Sequence, residues 1–120
     1  MSEGTLRVPA YLDHILHAIQ RIARYTKGMT EEGFSASEMA QDAVIRNIEI
    51  IGEAARNIAR HHPDFAGAHP GIPWESVYLM RNRVAHGYFS VDLEIVWRTL
   101  QRDLPELERQ VLQLKVDNGQ

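Results

Sequence analysis

Apolar residues recur at threes and fours along most of the chain, and no stretch alternates with a period of two, so the pattern predicts helices throughout. Val8, Leu12, Ile15, Ile19 and Ile22 form a first seam, which ends at Gly28 and the polar run Thr30-Glu31-Glu32-Gly33. Ser35 with Glu38 reads as a capping box and Phe34 with Met39 as a hydrophobic staple, so a second helix is expected to open there. Its seam of Val44, Ile48, Ile51, Ala55 and Ile58 runs to a stop at His61-His62-Pro63, and Gly52 within it suits a close helix contact. Pro63, Pro70, Gly71 and Pro73 punctuate a long connection. Pro73 fits the first position of a third helix, whose N-terminal dipole Glu75 would complement. Ser90 and Asp92 then open a fourth helix with the seam Leu93, Val96, Leu100, Leu104, Leu107, Val111 and Leu114. The fold class is therefore all-α, an antiparallel four-helix bundle with its last helix kinked or split near Pro105.

Length and composition narrow the class. At 120 residues the chain is expected to be a single domain spanning 1–120, with one core and no room for separate catalytic and binding domains. With no cysteine, disulfides, thiolate metal sites and cysteine nucleophiles are excluded. No apolar run has the length of a membrane span and the N-terminus lacks a signal-peptide pattern, so a cytoplasmic protein without membrane association is expected. A formal charge of -3 argues against a broad non-specific nucleic-acid surface, so any RNA contact must rest on local positive charge around Arg81 and Arg83.

The chemistry concentrates in the third predicted helix. Trp74, Val77, Arg81, Val84 and Tyr88 fall on one stripe, so Arg81 interrupts an apolar seam and should face an acid, a subunit boundary or an anionic ligand. Asn82 and His86 lie one turn apart, with Arg81 about 100° around the same helix, so the three would line adjacent walls of a cleft. Gly87 reads as a C-cap, which would place the His86 imidazole at the negative end of the dipole and suit it to proton exchange near neutrality. The plainer alternative is a helix end where Arg and His satisfy the last carbonyls. Elsewhere the signals are weaker. His61, His62 and His69 have only Asp64 nearby and read as a solvated helix end rather than a metal site, while His14 and His17 read as surface residues. Glu49 and Glu53 are either solvated or, in the case of Glu53, reach inward to brace Arg81 or Asn82. Trp74 and Trp97 read as core or interface anchors.

Arg81-x4-His86-x-Tyr88, with Asn82 behind the arginine, resembles the signature of HepT-like toxins, the ribonuclease members of HEPN/nucleotidyltransferase toxin–antitoxin pairs. The segments 47–55, 69–74 and 91–97 are similar to that family in the same order, so the resemblance covers roughly residues 10–115, and the residues before Val8 and after Leu114 carry no recognisable signal. It implies a HEPN-like four-helix bundle and an endoribonuclease in which Arg81 neutralises the scissile phosphate, Asn82 orients the phosphate or the histidine, and His86 transfers protons. Arg83 is a further candidate for contact with RNA. It also implies a homodimer, and a minimal nucleotidyltransferase antitoxin as partner, in a larger hetero-oligomer, that transfers AMP to Tyr88. The residues fit those roles. Walker-type and Gly-x-Gly-x-x-Gly phosphate loops and the paired aspartates of a nucleotidyltransferase are absent, so the chain is not the nucleotide-using partner. Nor does the sequence offer a carboxylate cluster for two-metal cleavage. No metal or cofactor is expected, and histidine acid–base catalysis with the neighbouring 2'-hydroxyl as nucleophile would restrict the substrate to RNA. The alternatives are a non-catalytic module that binds a nucleotide or scaffolds a nucleotidyltransferase, and a purely structural bundle in which Arg81 and His86 pair internally.

Overall fold

The computed structural model describes the backbone of residues 6–86 and 90–117 and the side chains of residues 6–82 and 92–117. It is a helical bundle around one hydrophobic cluster, with a single pair of two-residue strands beside it among the described residues. Helix α1 (Val8–Tyr25) packs along α3 (Glu38–His61), which also receives the short helix α5 (Trp74–Tyr78), while the C-terminal helix α8 (Leu104–Asp117) returns against α1. The seams read from the sequence are the ones that bury. Leu12, Ile15, Val44, Ile48, Ile51, Ala55 and Ile58 are all fully enclosed, each of the larger ones contributing about 1.5–3 kcal/mol of transfer free energy. Gly28, at φ 78°, turns the chain after α1, a left-handed conformation that glycine adopts without steric cost.

Two connections are more structured than the polar pattern suggested. Thr30-Glu31-Glu32-Gly33 does not simply break the chain: Thr30 caps helix α2 (Glu31–Ser35), its hydroxyl accepting from the Gly33 N–H at 3.0 Å. The expected capping box and staple at 34–39 do not form. Ser37, not Ser35, is the N-cap of α3, accepting from Ala40 N–H at 3.1 Å. Met39 is 81% exposed, because Phe34 is drawn into the core and packs on the Trp97 ring at 5.6 Å. Pro63 opens a further short helix, α4 (Pro63–Ala68), and the Trp74 indole N–H then reaches the Ala66 and His69 carbonyls, closing the proline-rich connection over the core.

The third predicted helix is interrupted. Pro73 precedes α5 rather than starting it, and α5 ends at Tyr78. A turn at Leu79 leads into α6 (Met80–Val84), with Leu79 N–H donating to Glu75 O and Asn82 N–H to Leu79 O, both at 2.9 Å. This turn resets the helical phase. Trp74, Val77 and Met80 take the buried positions, so Arg81 lies outside the apolar seam it had been expected to interrupt. The helix does not continue to a C-cap at Gly87. Ala85–His86 form a two-residue strand β1, paired antiparallel with Ser90–Val91 (β2), Ala85 opposite Val91 and His86 opposite Ser90. The placement of His86 at a helix C-terminus and on one helical face with Asn82 is thereby corrected.

The last helix is divided as Pro105 requires. Asp92, accepting from Ile95 N–H at 3.1 Å, caps α7 (Leu93–Arg98). A π-helical turn over Thr99–Asp103 then leads to α8, with Leu104 N–H donating to Thr99 O five residues back. A regular α-helix would drive the Pro105 ring into the Gln101 carbonyl and leave that carbonyl without its donor, and the widened turn accommodates both.

Candidate functional site

Opposite its buried seam, α3 carries a second stripe, Arg46, Glu49, Ile50, Glu53, Arg56 and Asn57, spaced by threes and fours. The stripe forms the floor of a groove of about 660 Å³ walled by α1 and by the α5–α6 turn. From α1 come Tyr11 and His14, and from the turn come Tyr78, Arg81 and Asn82. Gly52 lets the wall approach. A methyl built there would stand 3.1 Å from the Tyr78 carbonyl and 3.6 Å from that of Val77, so α5 is seated on α3 at a depth that a side chain could share only if α5 gave way by a few tenths of an ångström.

Arg81 finds its acid on the floor. Its Nε donates to Glu49 Oε2 at 2.9 Å, with the arginine side chain 58% exposed and the glutamate 35%. Glu49 and not Glu53 is thus the brace, and the contact orients the guanidinium without burying it. Glu53, exposed, lines the same groove. Nearby, the Arg56 guanidinium lies over the Tyr78 ring with its carbon 5.5 Å from the centroid. Among the described residues the groove gathers three guanidiniums, of Arg46, Arg56 and Arg81, against two carboxylates, of Glu49 and Glu53. It is net positive on a chain whose formal charge is -3.

Of the residues singled out in the sequence, the structure brings Arg81 and Asn82 together on one wall. Arg83 lies in α6 and His86 in β1, but their side chains are outside the described residues, as is all of Tyr88. His61 is exposed, His62 bonds the Leu6 carbonyl at 2.8 Å, and His69 stacks on Phe65 at 4.5 Å. Among the described residues no three His, Asp or Glu side chains converge as a metal site would require. Sequence reasoning passed over Arg46, Arg56, Asn57 and Tyr78, and read His14, an exposed residue that lines the groove, only as a surface histidine. The spacing of the α3 stripe held the signal for three of them: a polar face of alternating charge, wide enough to be a floor and not only a solvated surface.

A family model described as Ribonuclease HepT-like matches residues 15–114. A Methanocaldococcus jannaschii protein named as a gamma-glutamylcyclotransferase and "putative RNase" is 42% identical over 107 residues, 89% of this chain and 47% of that protein. A "Probable ribonuclease HepT" of Thermococcus cleftensis is 42% identical over 98 residues, covering 82% of this chain and 86% of its own. A "Putative RNase" of Caldanaerobacter subterraneus is 36% identical over 104 residues, covering 87% and 90%. The chain therefore spans about half of the first relative and most of the other two. No solved structure gives a significant match.

Proposed function

The chain belongs to the ribonuclease HepT-like family, and from that premise we propose that it is a metal-independent endoribonuclease, the toxin of a HEPN/nucleotidyltransferase pair, acting through Arg81 and His86. The observation that carries this reading is the setting of Arg81: an exposed guanidinium, held at 2.9 Å by Glu49, on the wall of a net-positive groove. A guanidinium that served only to neutralise a buried acid would have no such access. Its planar fork suits a phosphodiester, and its permanent charge offsets the charge that grows on the phosphoryl oxygens in the transition state.

In the proposed reaction the 2'-hydroxyl attacks the adjacent phosphorus and the bond to the 5'-oxygen breaks. His86 accepts the hydroxyl proton and, so protonated, donates it to the leaving 5'-oxygen, giving a 2',3'-cyclic phosphate and a 5'-hydroxyl. Asn82, on the Arg81 wall, orients the phosphate, and Arg83 adds a further contact to the RNA backbone. Two copies of the chain form the working dimer, joining their motifs in one composite cleft. The partner is a minimal nucleotidyltransferase that silences the toxin by moving AMP from ATP to Tyr88, the phenol oxygen attacking the α-phosphorus as pyrophosphate departs. Attached AMP brings phosphate charge into the space that the RNA backbone needs and repels incoming strand.

The test is RNA cleavage by purified wild type, Arg81→Ala and His86→Ala, with folding and assembly checked by circular dichroism and light scattering. Each variant should lose at least about a hundredfold in rate while remaining a folded dimer. Undiminished cleavage by folded His86→Ala would remove the acid–base assignment, and nucleotide binding without cleavage by wild type would make the chain a recognition module. Incubation with the partner and ATP should add AMP to wild type and not to Tyr88→Phe, as read by intact mass. Modification persisting in that variant would place the acceptor elsewhere.

A further inference from the structure

Beyond Arg81, the groove holds a second recognition element that the proposed chemistry does not use. Tyr78 is 38% exposed, an apolar ring left at the surface, and Arg56 lies over it at 5.5 Å. Asn57 adjoins Arg56 on the floor, and Arg46 stands ten residues earlier on α3, about 15 Å away along the helix axis. Among the described residues neither Arg46 nor Arg56 has a carboxylate within ion-pair distance, whereas Arg81 is tied to Glu49. The two guanidiniums without a carboxylate partner and the amide lie along the floor, and the Tyr78 ring and Arg81 stand on the adjoining wall.

We propose that Arg56 and Tyr78 form a stacking platform for an unpaired base of single-stranded RNA next to the scissile phosphate, with Asn57 meeting the base edge and Arg46, on the far side of the Arg81–Glu49 pair, meeting a phosphate beyond the scissile one. The inference rests on the ribonuclease reading and extends it from the point of cleavage to the class of strand. A phenol ring with a guanidinium plane offers a π surface to any base, and such stacking tolerates all four. The amide supplies both a donor and an acceptor, which a phosphate alone does not need and a base edge does. Paired bases present no free face to a ring inside a groove, so the platform selects loops and ends over duplex. Arg81 and the platform are held on one rigid frame. Tyr78 and Arg81 are three residues apart across the Leu79 turn, and the Gly52 contact fixes that turn against the helix carrying Arg56 and Asn57. Strand bound on the platform is therefore delivered to the reactive wall in a set register.

The protein is tested with two probes. A 2'-O-methyl oligonucleotide that cannot be cleaved, carrying 2-aminopurine, reports stacking by fluorescence quenching, and an unmodified labelled RNA reports kcat and KM. Tyr78→Leu and Arg56→Gln should each abolish most of the quenching and raise KM by roughly tenfold, with kcat changed far less. Tyr78→Phe should keep both, since it keeps the ring. Duplex of the same sequence should bind no better to wild type than to Tyr78→Leu. Unchanged quenching and KM in Arg56→Gln together with Tyr78→Leu would overturn the platform while leaving the ribonuclease assignment standing. Displacement of the probe by AMP as readily as by an unlabelled single strand would overturn the single-strand assignment in favour of a mononucleotide site. Absence of cleavage by wild type would remove the reading beneath it, and the non-cleavable probe would still decide whether the platform exists. Should Tyr78→Leu fail to fold, Arg56→Gln carries the test by itself.

Discussion

Gly52→Ala isolates the contact on which the geometry of the groove depends. In a helix interior alanine is favoured over glycine by about 1 kcal/mol, because glycine loses more backbone freedom on folding. Against that, the new methyl would sit 3.1 Å from the Tyr78 carbonyl and 3.6 Å from that of Val77. Neither oxygen can swing aside as a side-chain end would. Both belong to α5, which is anchored by the buried residues Trp74 and Val77 and followed by buried Met80. Moving α5 by a few tenths of an ångström against a packed core costs about 1–3 kcal/mol, so the net effect should be a loss of roughly 0–2 kcal/mol. Gly67 supplies the control, being a helical glycine in α4 whose added methyl would meet nothing within 4 Å. Gly67→Ala should be neutral or slightly stabilising, and urea unfolding with a constant m-value should separate the two variants by about 1–3 kcal/mol. The functional effect should exceed the loss of stability. Tyr78 and Arg81 both ride on the displaced segment, and shifts of this kind disturb catalytic positioning strongly, so kcat/KM should fall by about tenfold or more in the folded protein. A Gly52→Ala protein as stable as Gly67→Ala and fully active would refute the idea that this approach sets the site.

Three other outcomes follow from named contacts. Glu49→Gln should leave stability within about 0.5 kcal/mol, because the Arg81–Glu49 pair is largely exposed, yet lower kcat without raising KM, since it loosens the orientation of Arg81 while removing a negative charge from the path of RNA; a raised KM with normal kcat in steady-state kinetics would contradict this. Asp92→Ala should cost about 1 kcal/mol in chemical denaturation, the cap on Ile95 N–H being lost at the start of α7. Chelation should leave cleavage intact and its products should end in 2',3'-cyclic phosphate; a strict requirement for a divalent ion with 5'-phosphate products would replace the His86 mechanism by a hydrolytic one.

The parts of the fold legible in the sequence were those where one face of a long helix is buried. The seams of α1 and α3 contain enough turns for the period to stand out, and burial of Leu12, Ile15, Ile48 and Ile58 follows from it directly. Pro105 was legible for a different reason, as a missing donor with a bulky ring must disturb any helix it enters. Short-range signals were less faithful. Ser35 and Ser37 both offer a hydroxyl ahead of the α3 seam, and the choice between them is made by Phe34, whose burial against Trp97 commits residues 31–35 to a helix of their own. That contact joins positions more than sixty residues apart, and no local pattern contains it.

The same limit explains why the site was half seen. A five-residue helix has too few turns to reveal its phase, so the Leu79 turn, which hands the buried position to Met80 and frees Arg81, could not be read from the spacing of Trp74, Val77 and Val84. On α3 the charges were visible but without an orientation: Glu53 was the carboxylate expected to brace Arg81 if either did, whereas with α5 seated on Gly52 the arginine meets Glu49. The misplaced arginine and the misassigned carboxylate were two views of one contact. Once α5 is set against Gly52, the acid that holds Arg81, the ring that meets Arg56 and the sign of the groove are fixed together, so the smallest side chain on α3 does more to define the site than any of the charged ones.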